Sequence, residues 1–161
     1  MTTSIDILAM TNPAFGALLL RAVAKGYDDF ADAPVPLSVT FLAVPLVFTP
    51  TDLGDVFAGS NKRTGFVSWI SRHPEILPGF AKRTKALGPY VVDSLMFGTR
   101  HHVLAVKQAG LRPDVEGLTK EPGWSSRDER GGLLRRADRL GFWLAGVSSV
   151  ATLYSTLGVR P

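Results

Sequence analysis

The sequence has no cysteine among its 161 residues and only three histidines. The absence of cysteine excludes disulfide bonds, thiolate nucleophiles, iron–sulfur clusters and cysteine-ligated zinc, and it is consistent with a reducing compartment. Charge is also modest, because Lys and Arg total 18 and Asp and Glu total 14. The net charge of +4 allows nucleic acid, an anionic lipid surface or an acidic protein face as a partner, and it identifies none of them.

Long uninterrupted hydrophobic runs are lacking as well. Residues 1–10 contain an acid and no Lys or Arg, so we expect no secretory signal. The uncharged stretch 34–50 is broken by four prolines, and the stretch 140–159 is diluted by Gly, Ser and Thr. The second stretch is therefore predicted to be a buried helix and not a membrane span, and the protein is expected to be cytoplasmic.

The motifs of common catalytic and cofactor sites are missing. The sequence has no G-x-S-x-G, no G-x-G-x-x-G and no H-E-x-x-H. The loop 59–65 (GSNKRTG) lacks the Lys that follows the last glycine of a phosphate-binding P-loop. His101 and His102 are adjacent, so their side chains point in different directions and do not form a chelating pair. The sequence therefore predicts no enzyme, no catalytic residue, no cofactor and no metal.

Helical patterns dominate the first half of the chain. Asn12-Pro13 predicts the start of a helix that runs from Pro13 to Lys25 and is closed by Gly26, with an acidic turn over 27–33. The apolar run 36–48 allows either a strand or a buried helix broken near Pro45, of which we favour the helix. Thr51 is expected to cap a short helix that carries Leu53, Val56 and Phe57.

The middle of the chain is predicted to contain two more helices and a hairpin. The first buries Phe66, Val67, Trp69 and Ile70 and ends before His73-Pro74. The second covers 78–100 and is kinked or divided at Gly88-Pro89. Two extended pieces, 103–106 and 115–118, are expected to form a β-hairpin around a turn at 110–113, followed by an exposed loop over 119–130.

One final helix is predicted from Asp128 to about Thr156, because apolar residues recur at intervals of four and three. These residues are Leu133, Ala137, Leu140, Leu144, Val147, Ala151 and Tyr154. The expected fold is mainly α with one small β-hairpin, in a single domain over residues 1–161. The helix–hairpin–helix order over 79–139 resembles a winged-helix arrangement.

Basic residues form three groups, at Lys62-Arg63, at 82–85, and at the start of the final helix. The members of the third group are Arg127, Arg130, Arg135, Arg136 and Arg139. One interpretation is a solvated face that is partly neutralised by nearby acids. The other is a surface for phosphates or an acidic partner, which Trp124 supports because Trp and Arg often anchor interfaces.

The end of the final helix has two interpretations as well. Gly158 is suited to the left-handed conformation that ends a helix, and Pro161 cannot extend one. The tail formed by Val159, Arg160 and Pro161 is then either a helix stop alone or part of a partner interface that packs near Phe15 of the first helix.

Several segments together resemble the middle component of bacterial three-component ABC systems. They are Asn12–Leu20, Val44–Val47, Trp69, Pro74-Glu75, Phe80-Ala81, Leu95–Gly98 and Ala151–Pro161. The resemblance implies an accessory subunit that works with an ABC ATPase of the SMC/Rad50 type and an effector in defence against phages or plasmids. DNA would be contacted through the complex, and the family offers no catalytic motif. The alternative is an autonomous DNA-binding protein.

Overall fold

The computed structural model describes residues 12–49, 53–120, 122–125 and 127–161. Seven of its elements precede the long C-terminal segment: α1 (Pro13–Ala31), β1 (Val35–Pro36), α2 (Leu37–Val47), α3 (Phe66–Arg72), α4 (Phe80–Arg100), β2 (Leu104–Lys107) and β3 (Gly110–Pro113). The C-terminal segment contains α5 (Glu129–Ala145) and α6 (Val150–Leu157). A 3-10 turn over Pro74–Ile76 lies between α3 and α4. The predicted class, mainly α with a small antiparallel sheet, is confirmed.

Helix α1 begins as predicted but is longer than predicted. The Asn12 side chain accepts a hydrogen bond from the backbone N–H of Ala14 at 2.9 Å. The prediction that Gly26 ends the helix before an acidic turn is wrong, because α1 continues to Ala31 and ends at Asp32 in the left-handed conformation. Gly26 is buried against the backbone of Asp138 in α5. The glycine therefore permits close packing of two helices.

The apolar run after β1 forms helix α2, as we favoured, but the helix is not broken at Pro45, which lies inside it. Most of this helix is buried, which explains why its apolar residues follow no single face. Thr51 lies outside the described residues. Residues 53–59 form turns and no regular α-helix, so the short helix expected there is wrong over that range. The indole N–H of Trp69 donates to the carbonyl of Val56 at 2.8 Å, which fixes those turns to α3.

Helices α3 and α4 follow the prediction with two exceptions. Helix α3 ends at Arg72, before His73-Pro74, but Val67 is 67% exposed and not buried. The side of α3 that carries Val67 therefore faces solvent. Helix α4 is continuous through Gly88-Pro89, so the expected division is wrong there, whereas the alternative of a kink stays a prediction. Pro89 and Lys85, whose carbonyl loses its helical donor to the proline, are both exposed residues.

The hairpin is displaced from its predicted position. Strands β2 and β3 pair through Leu104↔Pro113 to Lys107↔Gly110, so the segment expected to turn is the second strand. The turn is Gln108-Ala109, where both residues have positive φ (49° and 60°). Residues 115–118 are not a strand, because the carboxylate of Asp114 accepts from the N–H groups of Glu116 and Gly117 and turns the chain.

A third strand, β1, which the sequence did not predict, pairs with β3 through Val35↔Leu111. The sheet order is therefore β1-β3-β2. With α3 left aside, the order α1, β1, α2, α4, β2, β3 is similar to the connectivity of a winged helix-turn-helix, although α2 ends at Val47 and α4 begins only at Phe80. The winged arrangement thus involves the N-terminal half of the chain and not residues 79–139 alone.

The predicted final helix is broken into α5 and α6, whose axes are bent by 116°. Ser149 caps α6, since its hydroxyl accepts from the N–H of Thr152 at 3.1 Å. Leu133, Ala137, Leu140 and Leu144 of the predicted seam are buried, whereas Ala151 is exposed. Within the described residues no single helix is long and apolar enough to span a membrane, and α5 with α6 meets that test only as a bent pair.

Candidate partner-binding surfaces

A cleft of about 220 Å³ lies between α1, the start of α5 and the loop at 122–125. We name it the Trp124 cleft, and its lining residues are Ala22, Lys25, Pro122, Trp124, Gly131, Leu134, Arg135 and Asp138. It brings two of the residues predicted for a partner surface, Trp124 and Arg135, into one wall.

Trp124 is held in this cleft from both sides. Its ring lies 6.1 Å from the ring of Phe15, at the start of α1. The guanidinium of Arg130 lies 4.6 Å from the centre of the indole, within the range of a cation–π interaction. Gly131 lies against the carbonyl of Ser125, which a larger residue would displace. Trp124 therefore fastens the loop to the helical core and also presents part of its ring to the cleft.

The side chain of Arg130 forms an ion pair with the neighbouring Asp128. Its Nε and Nη2 lie 3.2 Å from the two carboxylate oxygens of Asp128. Asp128 also caps α5, accepting from the backbone N–H of Arg130 at 2.9 Å. The side-chain hydrogen bond from Arg130, followed by the backbone one, lowers the pKa of Asp128. Both side chains thus shape the start of the helix, and the charge of Arg130 is locally balanced.

Arg127 and Arg135 differ from Arg130. Both are exposed, and neither forms an ion pair or a hydrogen bond through its side chain with any residue that the structure describes. Asp138, deeper in the cleft, is neutralised by Lys25 at 3.7 Å and by Lys62 at 3.7 Å. Of the five arginines, these two have positive charge available to an external group.

Arg136 and Arg139 point to a different part of the molecule. Arg136 pairs with Asp55 at 3.2 Å and lies over the ring of Phe57. Arg139 donates to the hydroxyl of Ser60 at 2.9 Å and reaches the carbonyl of Phe57 at 3.5 Å. The five arginines therefore do not form one continuous surface, since these two fasten the turns at 53–61 to α5.

The predicted tail lies beside α6. Gly158 is left-handed (φ 69°), and the N–H of Val159 bonds the carbonyl of Tyr154 at 3.0 Å, which closes the helix. Gly158 and Leu157 line a groove of about 230 Å³ together with Leu77, Gly79 and Ala81. Helix α6 is tied to α2, because the Tyr154 hydroxyl donates to the Ser38 carbonyl at 2.7 Å.

A second apolar groove, of about 470 Å³, was not predicted. It lies between the start of α3 and the end of α5, and Phe30, Val67, Phe142 and Val147 contribute to its walls. Phe30 is 53% exposed and meets Phe142 edge-on at 5.1 Å. Phe30 belongs to the part of α1 that the sequence assigned to a turn, so no helical pattern marked it.

Metal-ligating side chains are not clustered in the part of the chain that the structure describes. Among the described residues, no group of three or more His, Asp or Glu side chains is arranged to hold a metal ion. The histidines each face one acid at most: His73 contacts Glu75 at 3.0 Å and His102 contacts Asp114 at 3.6 Å. What the surfaces offer is apolar area, an indole edge and two unpaired cations.

The described residues form a mainly α-helical fold with a small three-stranded antiparallel sheet, and the surfaces above expose apolar and basic side chains. A family model named ABC-three component (ABC-3C) system Middle Component 3 matches residues 3–161. The chain belongs to this family, as the resemblance in the sequence indicated. No curated protein and no solved structure matches the chain significantly.

Proposed function

We propose that the protein is a non-catalytic accessory subunit that binds an ABC ATPase of the SMC/Rad50 type and couples it to an effector. The assembly would act in the cytoplasm against phages or plasmids. The single observation that carries the proposal is the family match over residues 3–161. A middle component of a three-component system is expected to contact the other two components.

The surfaces described above support a role in linking partners. The Trp124 cleft is lined by an aromatic ring and by Arg135, a combination that suits an acidic protein face. The groove at Phe30 and the groove at Leu157 lie elsewhere on the fold and have other linings. Separate surfaces of different chemistry are what a subunit needs to hold two different proteins at once.

The experiment is a reconstitution from purified subunits. The chain is mixed with the ATPase and the effector of its own system, singly and together, and complexes are measured by analytical ultracentrifugation. We expect the chain to bind the ATPase and the complex to recruit the effector. A chain that remains separate from both subunits would contradict the proposal.

The winged helix-turn-helix connectivity favours a second candidate function, an autonomous DNA-binding protein. In helix-turn-helix proteins the recognition helix enters the major groove, and here α4 holds that position. The affinity of the isolated chain for duplex DNA, measured at several salt concentrations, distinguishes the accessory subunit from the autonomous DNA-binding protein. Tight, sequence-specific binding without other subunits would favour this candidate, whereas contact through phosphates alone would weaken steeply with salt.

A further inference from the structure

The outward face of α4 has an apolar centre and basic ends. Its exposed residues follow the helical repeat, so that each lies three or four positions from another: Ala81, Lys82, Lys85, Ala86, Pro89, Val92, Asp93, Met96 and Arg100. Val92 and Met96 are 43% and 55% exposed, one helical turn apart. At a rise of about 1.5 Å per residue, the face from Lys82 to Arg100 is about 27 Å long.

The inward side of α4 already fixes this helix in the fold. Gly98 lies close to Leu104 and to Ala17, so β2 and α1 approach the helix backbone. Ser94 is buried against Gly16 of α1, and Tyr90 meets Phe48 edge-on at 6.2 Å. Val92 and Met96 on the outward face remain 43% and 55% exposed beside this packing, and an apolar strip on an exposed helix is typical of an interaction site.

We infer that the outward face of α4 is a docking site for an amphipathic helix of a partner protein whose apolar residues are flanked by Asp or Glu at both ends. The inference rests on the proposed accessory function and names the chemistry that such a partner presents. The partner helix packs on Val92 and Met96, and its terminal acids face Lys82 and Lys85 at one end and Arg100 at the other. Among the described residues, none of these three cations has an ion pair of its own.

Duplex DNA fits this face poorly, although α4 holds the recognition position of the winged fold. DNA presents a negative charge about every 1.7 Å of its axis, whereas the cations of this face lie only at its ends. The centre carries the acid Asp93 together with Pro89, Val92 and Met96. None of these is an Arg, Lys, Asn or Gln that reads base edges in the major groove.

A second copy of the chain fits poorly for a reason of charge. If two α4 faces pair in the antiparallel sense, Lys82 and Lys85 of one copy meet Arg100 of the other. If they pair in the parallel sense, each cation meets its own counterpart. Both arrangements place like charges opposite each other, and such repulsion disfavours the pairing of two copies. The charge pattern thus selects an acidic partner.

The test compares one double variant with a matched control in the reconstituted system. Val92→Lys with Met96→Lys adds charge to the strip, and Val115→Lys makes the same change at a residue that is 66% exposed in the turn after β3. We expect the double variant to bind its partner subunit at least about tenfold more weakly, and the control to stay within about twofold. Lys82→Glu with Lys85→Glu should weaken binding similarly and reduce its dependence on salt.

Three other results would overturn the inference, and each can be distinguished from the others. Equal binding by the double variant and the wild-type chain removes this face from the interface and leaves the proposed function intact. Failure of the wild-type chain to bind either subunit removes both. A chain that self-associates through Val92 and Met96, or binds duplex DNA through them, replaces the acidic helix with another occupant. Circular dichroism and thermal unfolding confirm that each variant is folded.

Discussion

The backbone of Gly26 in α1 lies against the carbonyl of Asp138 in α5, so closely that a β-carbon on Gly26 would overlap that oxygen. The same crossing repeats the contact in reverse, because Gly141 of α5 lies against the carbonyl of Val23. Two glycines thus bring the longest N-terminal and C-terminal helices together at backbone distance. The Trp124 cleft sits beside this crossing and depends on it for its shape.

Replacing either glycine with alanine should separate the two helices. We expect Gly26→Ala and Gly141→Ala each to lower the free energy of unfolding by about 1–3 kcal/mol, the usual range for overpacking. Gly88→Ala is the control, because Gly88 is also inside a helix but has open space where a β-carbon would go. It should change stability by less than about 1 kcal/mol, because the gain from replacing a helical glycine is opposed by the clash of a β-carbon with the ring of Pro89. Urea unfolding measures all three, and equal effects at the three positions would contradict the close crossing.

The hairpin turn is strained by its residue types. Gln108 and Ala109 both have positive φ, a conformation that Gly and Asn tolerate better than Ala or Gln. Ala109→Gly should therefore stabilise the protein by about 0.5–1 kcal/mol. Gly110→Ala, one residue later, should destabilise it, since a β-carbon there would press on the Val35 carbonyl and on Pro34. A shift of the thermal midpoint in the same direction for both variants would refute this geometry.

The arginines at the start of α5 should separate into two functional groups. Arg127→Ala with Arg135→Ala should leave stability within about 0.5 kcal/mol, as is usual for exposed residues, and weaken binding of the ATPase or effector. Arg139→Ala should instead cost about 1 kcal/mol, because it removes the hydrogen bonds to Ser60 and Phe57. Unfolding and binding are measured on the same preparations. Loss of stability in the first variant, or unchanged binding, would contradict the assignment.

All three tyrosines should resist ionisation in the folded chain. Burial raises the pKa of Tyr27, Tyr90 and Tyr154 above the ordinary value of 10.0. A raised folded-state pKa contributes stability below the unfolded pKa, and that contribution is lost as pH rises through the folded pKa. Stability should therefore fall above about pH 10, with tyrosinate absorbance appearing later than in urea. Coincident titration of the folded and unfolded chains would show that the hydroxyls are exposed.

Local signals predicted the helix starts well. Asn12-Pro13 begins α1, and Asp128 caps α5, because a capping side chain and its backbone partner lie within a few residues of each other. The displacement of the hairpin has the opposite cause. Gln108-Ala109 adopts a conformation that its residue types do not favour, so nothing local marked the turn, and Gly110-Leu111-Arg112-Pro113 resembled one more closely.

Contacts between distant parts of the chain escaped prediction. The role of Gly26 depends on Asp138, and the direction of Arg139 depends on Ser60, which lies 79 residues earlier. The heptad pattern also runs through the break between α5 and α6, since α5 ends at Ala145 and Ser149 caps α6 without disturbing the spacing of apolar residues. The basic cluster was therefore visible in the sequence, but not its division into two groups.

The most direct test of the account is whether the ATPase and the effector assemble only when this chain is present. The purified ATPase and effector are combined with and without the chain, and the masses of the complexes are measured by size-exclusion chromatography with light scattering. We expect a complex that contains all three subunits, and no complex of ATPase and effector when the chain is omitted. An ATPase–effector complex that forms equally well without the chain would contradict its role as the coupling subunit.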